Sequence, residues 1–420
     1  MLRYGGVVIP MQINLDKNIL DKMQYLIGDN EMIMNLSTIP VKEPFSDAVC
    51  EFLNDVSKTL MNDYRSRAYS DVMTFGFWLR NASTTRLKVQ YAFHDENIHI
   101  GRGNIFHIAP SNVPVNFAFS LAAGLLLGNS NIVRVPSKNF EQITIIKDAF
   151  IKTLETHVDM KPYIILVRYE HDKGINDALS SIADTRIIWG GDTTIAEIRK
   201  STLPPRSNEI TFADRYSIAV IDSDRYMEAD NKTNIALDFY NDTYFTDQNA
   251  CTSPRIVVWT GKQSEEAKKL FWYELHKLVR RKYIYQPIMG INKLTSSYLT
   301  AINEPGVKIE SHTDNLIIRV SIPRITSNLI DLMDNCGFFL EYTCEDIMEI
   351  EPLCDDRRCQ TVGLYGNGDI LLPLLNAGIK GIDRVVPIGK SMDFELIWDG
   401  YNLPAIMTRT IVYDSNVFRA

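Results

Sequence analysis

From residue 104 the chain alternates short apolar runs with helical ones, and that rhythm constrains its fold more than anything else in the sequence. Candidate strands are Asn104–Ile108, Asn131–Val135, Tyr163–Val167, Arg186–Trp189 and Ser217–Ile221. Helical patterns lie between them, around Val115–Leu127, Phe140–Glu155 and Thr194–Lys200. Strands that alternate with helices build a parallel sheet covered on both faces, so the fold class is α/β. In such sheets the ligand sits beyond the carboxyl ends of the strands. The residues that follow each strand are therefore the first place to look for chemistry.

After the first strand comes Ala109-Pro-Ser-Asn112-Val-Pro114. Pro114 suits the first turn of a helix. Asn112, just ahead of it, would either cap that helix or donate to an oxygen that gains negative charge. After the second strand, Arg134-Val-Pro-Ser137-Lys138 puts two cations and a hydroxyl at a strand end with no acid among them. That set suits a phosphate, and it leans towards the 2′-phosphate of NADP rather than the ribose hydroxyl of NAD. After the fourth strand, Gly190-Gly191-Asp192-Thr193 permits close backbone approach at the start of a helix, a seat for a pyrophosphate or simply a capped turn.

A different stretch carries the candidate nucleophile: Gln248-Asn-Ala-Cys251-Thr-Ser-Pro-Arg255-Ile-Val-Val-Trp259. Ala250, Thr252 and Ser253 are small enough to let a carbonyl reach the sulfur. A thiolate splits an acyl transfer into two easier steps. Taken alone, an unpaired cysteine is more often a buried small hydrophobe, so the case for Cys251 rests on its company.

Composition excludes several classes. The 420 residues exceed what one ordinary core serves, so two or three domains are expected. A formal charge of -8 argues against a nucleic-acid or anionic-membrane surface. The longest apolar run, Phe117–Gly128, is far shorter than the roughly 20 residues of a membrane span and reads as a buried helix. No secretory leader is visible at Met1-Leu-Arg-Tyr-Gly-Gly, and the six cysteines are scattered through a long chain. Free thiols in a reducing cytoplasm are the expectation. No cysteine pair has zinc-knuckle spacing, and His94, His99 and His107 form no ligand cluster, so no metal is expected.

Elsewhere the patterns speak of packing. Val49, Phe52, Leu53, Val56 and Leu60 share one helical face, and a second helix is expected over Val72–Leu79. Ser264–Arg281 is amphipathic, with Ala267, Leu270, Phe271, Leu275 and Leu278 on its apolar side. Leu316–Ile322 and Thr361–Tyr365 read as strands, and the alternating Thr408–Tyr413 reads as an exposed strand suited to self-association.

Together these stretches resemble the aldehyde dehydrogenase superfamily. Within it they resemble the acyl-CoA reductase family whose best-known member makes fatty aldehyde for bacterial luciferase. The likeness runs from about residue 100 to 415, and the Cys251 segment is its firmest part. By this resemblance Asn112 stands at the oxyanion-hole position, and Arg134 and Ser137 take the places of the Lys and Glu that hold the adenosine ribose. Gly190, Gly191, Asp192 and Thr193 resemble the pyrophosphate turn, and Lys138 joins the cofactor set. Cys359-Gln-Thr361, Gly381-Ile-Asp-Arg384 and Trp398-Asp-Gly400 are similar to later reductase segments without a chemical role of their own. The Glu general base of the hydrolytic members is replaced by Phe212, with Asp214 the nearest substitute. The family's ribose-binding Glu-x-Phe-Gly-Pro segment has no counterpart, which leaves the nicotinamide end unassigned.

The resemblance implies two doubly wound α/β domains with a cleft between them and a C-terminal return or oligomerisation segment, divided as 1–217, 218–395 and 396–420. It implies an NADPH-dependent reductase that turns an acyl-CoA, a fatty acyl-CoA above all, into the aldehyde through a thioester on Cys251. Asn112 and the Cys251 backbone N–H would hold the oxyanion, a contribution of roughly 3–4 kcal/mol per donor. A nearby helix N-terminus or cation is expected to activate the thiol. An acyl-activating synthetase and a second copy of the chain are the implied partners. Three rivals stand beside this reading: a hydrolytic NAD(P)-dependent aldehyde dehydrogenase, a reductase of acyl phosphate or carrier-bound acyl groups, and a catalytically inactive scaffold.

Overall fold

The computed structural model describes residues 15–412, Ser327 by its backbone only, together with the backbone of the paired strands Arg3–Tyr4 and Val7–Val8. The chain divides into two compact units, one formed by residues before 214 together with those after 395, the other by Asp214–Glu395. Each is a doubly wound α/β structure, the class the sequence rhythm called for.

Unit 1 is built on a six-stranded sheet. Its strands are β1 (Gln24–Ile27), β2 (Asn104–Ile108), β3 (Ser130–Arg134), β4 (Ile164–Arg168), β5 (Thr185–Trp189) and β6 (Asn208–Phe212), in the order β1-β4-β3-β2-β5-β6. All neighbours run parallel except β1 against β4. Helix α1 (Asp47–Asn62) lies between β1 and β2 in the chain, buries its Val49, Phe52, Leu53, Val56 and Leu60 face and packs on α3 (Glu141–Leu154). Helix α2 (Asn116–Leu126) follows β2 and is buried almost throughout, as its continuous apolar run requires. Helices α4 (Lys173–Ser181) and α5 (Asp192–Ile198) complete the cover, with Ile175, Leu179, Ile195 and Ile198 in the core that also holds Phe106, Ile132 and Ile165. The chain returns after residue 395, where Thr408–Ile411 pairs antiparallel with Ile98–Gly101. That stretch is expected as an exposed strand suited to self-association: Arg409–Ile411 are exposed and the strand is paired within the chain along one edge, while Tyr413 lies outside the described residues.

Unit 2 holds a seven-stranded sheet: β7 (Tyr216–Asp222), β8 (Pro254–Thr260), β9 (Lys308–Ser311), β10 (Ile318–Ser321), β11 (Phe338–Thr343), β12 (Cys359–Tyr365) and β13 (Arg384–Pro387). Their order is β9-β10-β11-β8-β7-β12-β13, parallel except for the β9 edge. Period-two geometry sorts the central strands between two cores. Ile218, Val220, Ile256 and Val258 face one, and Ala219, Ile221, Val257 and Trp259 the other. The second core is closed by α6 (Lys232–Thr243) and α7 (Ser264–Lys282). Of the face expected on α7, Leu270 is the exception: it is 39% exposed, while Trp272 is buried in its stead. Helix α8 (Pro287–Asn303) follows directly.

The later segments that resemble the reductases prove structural. Asp399 and Gly400 both have positive φ, 54° and 77°, and form the two-residue turn between the paired Ile397–Trp398 and Tyr401–Asn402. Arg384 donates to the carbonyls of Lys390, Ser391 and Asp393 and so holds that loop closed.

Candidate functional site

Three side chains and two unusual backbone conformations fix the Cys251 turn. After α6 the chain passes through Asp247 and Gln248 at φ of 53° and 56°, a left-handed pair that non-glycine residues adopt only when their surroundings impose it. The Gln248 side chain is fully buried and imposes it: its amide donates to the carbonyls of Pro254 (3.0 Å) and Phe338 (3.2 Å) and accepts from the Gly337 N–H (2.6 Å). Arg255 donates back to the Gln248 carbonyl at 3.0 Å. Ser217 Oγ donates to the Cys251 carbonyl at 2.7 Å, tying the turn to the start of β7. Cys251 itself is exposed, whereas four of the other five free cysteines are buried. The bland reading of Cys251 as one more buried thiol is therefore set aside.

Arg255 also gives the site its charge. Burial pushes its guanidinium below the ordinary value, and the negative charge available at Cys251 and Asp334 pulls it back. It is thus a partly desolvated cation within electrostatic reach of the sulfur, the environment that suits a reactive thiol. Cys251 precedes β8, at the amino end of its strand, so the search beyond carboxyl ends finds the unit 1 stretches and not this one.

In unit 1 the strand order reverses between β2 and β5, and the turns that follow those two strands flank the switch point. Asn112 follows β2 and is exposed. It does not cap α2, whose N-cap is Val115 without a side-chain bond, so its amide is left for another partner. Gly190 and Gly191 follow β5, and Gly191 is the N-cap of α5. A Cβ on Gly190 would lie 3.1 Å from the Thr194 side chain, a close approach that favours glycine. Asp192 and Thr193 are exposed in the first turn of α5.

Arg134, read as the cation for a 2′-phosphate, is only 8% exposed. Its guanidinium lies 4.7 Å over the Tyr169 ring and donates to the Tyr169 carbonyl at 3.3 Å, so it is a packing cation. The neighbouring Ser137 and Lys138 are exposed. Arg168, at the end of β4, shapes their loop by donating to the Pro136 carbonyl (3.2 Å) and to Asn139 (2.7 Å). Period two already hinted at this: a side chain at the end of a buried strand turns inward, while those in the following loop turn out.

Phe212, expected from the resemblance to replace the hydrolytic base, is buried and stacks on Trp189 with ring centroids 3.6 Å apart. It has no proton to exchange. Asp214, the nearest acid in sequence, is exposed. Among the described residues no group of His, Cys, Asp and Glu could hold a metal. His107 is instead locked in the core between Ser120 (2.7 Å) and Asn131 (3.0 Å), and burial pushes its imidazole down to about 4. No described helix is long and apolar enough to cross a membrane.

Gln248, Ser217 and Lys293 are the site residues that sequence reasoning missed. Lys293 is a fully buried ammonium that donates to the carbonyls of Asn315 (2.6 Å), Leu316 (3.1 Å) and Cys336 (2.7 Å). The Cys336 N–H in turn donates to the Asp247 carbonyl at 3.1 Å. Only Gln248 had a signal in sequence, an amide three residues before the cysteine.

Known proteins agree with this architecture. Residues 88–285 match the model of the acyl-CoA reductase (LuxC) family. A long-chain acyl-protein thioester reductase of Aliivibrio fischeri is 24% identical over 303 residues, 70% of this chain and 60% of the relative, so the match leaves over a third of that protein unspanned. Among solved structures, a salicylaldehyde dehydrogenase of Pseudomonas putida superposes with a TM-score of 0.62 at 13% identity, over 91% of this chain and 89% of that one. A benzaldehyde dehydrogenase of Corynebacterium glutamicum does so with 0.60 at 11% identity, over 97% and 98%. Residues 88–285 are thus similar to the acyl-CoA reductase (LuxC) family, in a chain that has the fold of the aldehyde dehydrogenases.

Proposed function

We propose that this chain reduces an activated long-chain acyl group to its aldehyde through a thioester on Cys251, using NADPH. The observation that carries the reading is the exposed thiol on a turn clamped from three sides with a cation beside it. The Cys251 thiolate adds to the acyl carbonyl. Asn112 and the Cys251 backbone N–H hold the oxygen that takes up the charge. The donor's thiolate then leaves with the electrons of the broken C–S bond, whether it belongs to CoA, as in the family's description, or to a protein, as in the relatives' name. A nicotinamide dinucleotide, when bound, supplies the hydride that turns the enzyme thioester into aldehyde. As the carbon–sulfur bond breaks, its electrons return to Cys251 and restore the thiolate.

Unit 1 suits such a cofactor. Gly190 and Gly191 with Thr193 offer a turn open to a pyrophosphate, and the exposed Ser137 and Lys138 offer a hydroxyl and a cation for a 2′-phosphate. The Asp192 carboxylate complements the positive end of α5 itself and is a poor phosphate ligand. Phe212 supports reduction over hydrolysis: by the resemblance it replaces the base of the hydrolytic members, and its apolar ring, stacked on Trp189, has no group that could activate water.

Product analysis tests the reading. A long-chain acyl thioester with NADPH should yield aldehyde and one equivalent of released thiol. Free carboxylate formed from aldehyde and NADP at a comparable rate would replace this reading with the hydrolytic one.

A further inference from the structure

The Asp242 carboxylate stands where folding alone has little use for a charge. It is fully buried in the last turn of α6, the end of a helix that an anion does not stabilise. Burial pushes its carboxyl up to about 6, and the negative charge of Asp393 adds to the rise. Lys390, a cation within electrostatic reach, pairs with Asp393 at 3.0 Å. An acid kept under these conditions serves a geometry.

That geometry belongs to the loop after β13. Asp242 Oδ2 accepts the Gly389 N–H at 2.6 Å, and Oδ1 accepts the Ser391 N–H at 3.1 Å. The two oxygens thus hold alternate residues of one turn. Gly389 has φ of 93°, and a Cβ there would lie 2.7 Å from the Asp238 side chain, so the loop runs directly against α6. Arg384 takes the loop's carbonyls while Asp242 takes its N–H groups.

The loop then reaches the nucleophile turn. Thr252, next to Cys251 in the chain and buried, donates from its hydroxyl to Met392 Sδ at 3.2 Å. Asp242 is therefore linked to Cys251 twice. One link is the chain itself, where α6 runs out into the left-handed pair Asp247 and Gln248. The other passes through space by way of Gly389, Ser391, Met392 and Thr252. Gln248, Ser217 and Arg255 grip the turn through the carbonyls of Pro254, Cys251 and Gln248. Met392 adds a hold on the side chain beside the sulfur.

We infer that Asp242 is a positioning residue for the proposed acyl transfer: it fastens the Gly389–Met392 loop so that Met392 fixes Thr252 and, with it, the line of approach to Cys251. The inference rests on the function proposed above and deepens it. A thiol that is already exposed still has to meet the acyl carbonyl in one orientation.

The test compares two electrophiles at one sulfur in the full chain. Iodoacetamide is small and alkylates an accessible thiolate from many directions, whereas a long-chain acyl thioester must be held in line. Asp242→Asn keeps the shape of the side chain but turns an amino group towards one of the two N–H donors. Followed by intact and peptide mass, it should slow acylation of Cys251 at saturating donor by about tenfold or more. The half-saturating donor concentration should move by less than about threefold, and alkylation should stay within about threefold. Met392→Ala should show the same split. The double variant should fall no more than about twofold below the slower single one, because both changes cut one connection. Acylation at the parental rate in folded Asp242→Asn, equal losses with both electrophiles, or losses that multiply in the double variant overturn the inference. Should Asp242→Asn fail to unfold cooperatively in urea, Met392→Ala decides alone, and parental acylation by it overturns the inference as well. A parent chain that is alkylated but never acylated fails at the proposed function, and the positioning role falls with it.

Discussion

Gln248 shows how much of a candidate site can rest on a fully buried side chain. Its amide satisfies two carbonyls and one N–H that would otherwise be orphaned beside a left-handed turn. Gln248→Ala should therefore destabilise the chain by roughly 3 kcal/mol in urea unfolding. It should also slow single-turnover acylation of Cys251 by about tenfold or more, since the turn loses its support. Unchanged acylation in a folded variant would show that the turn holds itself. His107 gives a prediction in pH. Its folded value of about 4 lies below the ordinary 6.5, so the unfolded chain binds more protons between those limits. Stability should fall by up to about 3 kcal/mol as pH drops from roughly 6.5 to 4, because the buried imidazole resists protonation. His107→Gln should flatten the urea midpoint over that range. A variant with the parental slope would assign the effect to carboxylates instead.

At the scale of elements, the connection from β10 to β11 supports the nucleophile turn from below. Gly337 has φ of 91°, and a Cβ there would overlap the Tyr244 hydroxyl and the Leu316 carbonyl. Gly337→Ala should cost about 2 kcal/mol or more and loosen the same Gln248 clamp, as urea unfolding and acylation rate would report. In unit 1, strands β2 to β5 and helices α1, α2, α3 and α5 were legible in sequence to within two residues, whereas β6 and α4 were not read. Asn104–Ile108 matches β2 end to end, because apolar strands bounded by helical runs have few other ways to be buried. Helix α8 was not legible: its apolar positions mark its outer face, so periodicity alone assigns it the wrong side. Strands β1 and β11 were missed as well, one half-exposed and the other interrupted by Glu341, a buried acid that the Trp259 and Trp272 indoles and Arg319 satisfy. Of the candidate site, the types of residue were legible and their orientation was not. Arg134 and Lys138 look equivalent as cations in sequence, yet only one is exposed.

For the whole molecule, two compact units divide the labour that the proposed chemistry requires. NADPH should protect the backbone amides of 135–139 and 190–193 in unit 1 from hydrogen exchange, and an acyl donor should protect 247–253 in unit 2. Protection of the same unit by both ligands would contradict that division. Lys138→Ala should reduce the preference for NADPH over NADH by about tenfold, measured as a ratio of kcat/KM values. Arg134→Ala should instead lower stability, because its guanidinium is packed on Tyr169. The most direct test of the account is the intact mass of the chain after exposure to a long-chain acyl thioester without NADPH. The account predicts one added acyl group, localised to Cys251, absent from Cys251→Ala and discharged as aldehyde when NADPH is supplied. An acyl adduct of the same mass on Cys251→Ala, or an adduct on the parent that NADPH leaves untouched, would contradict it.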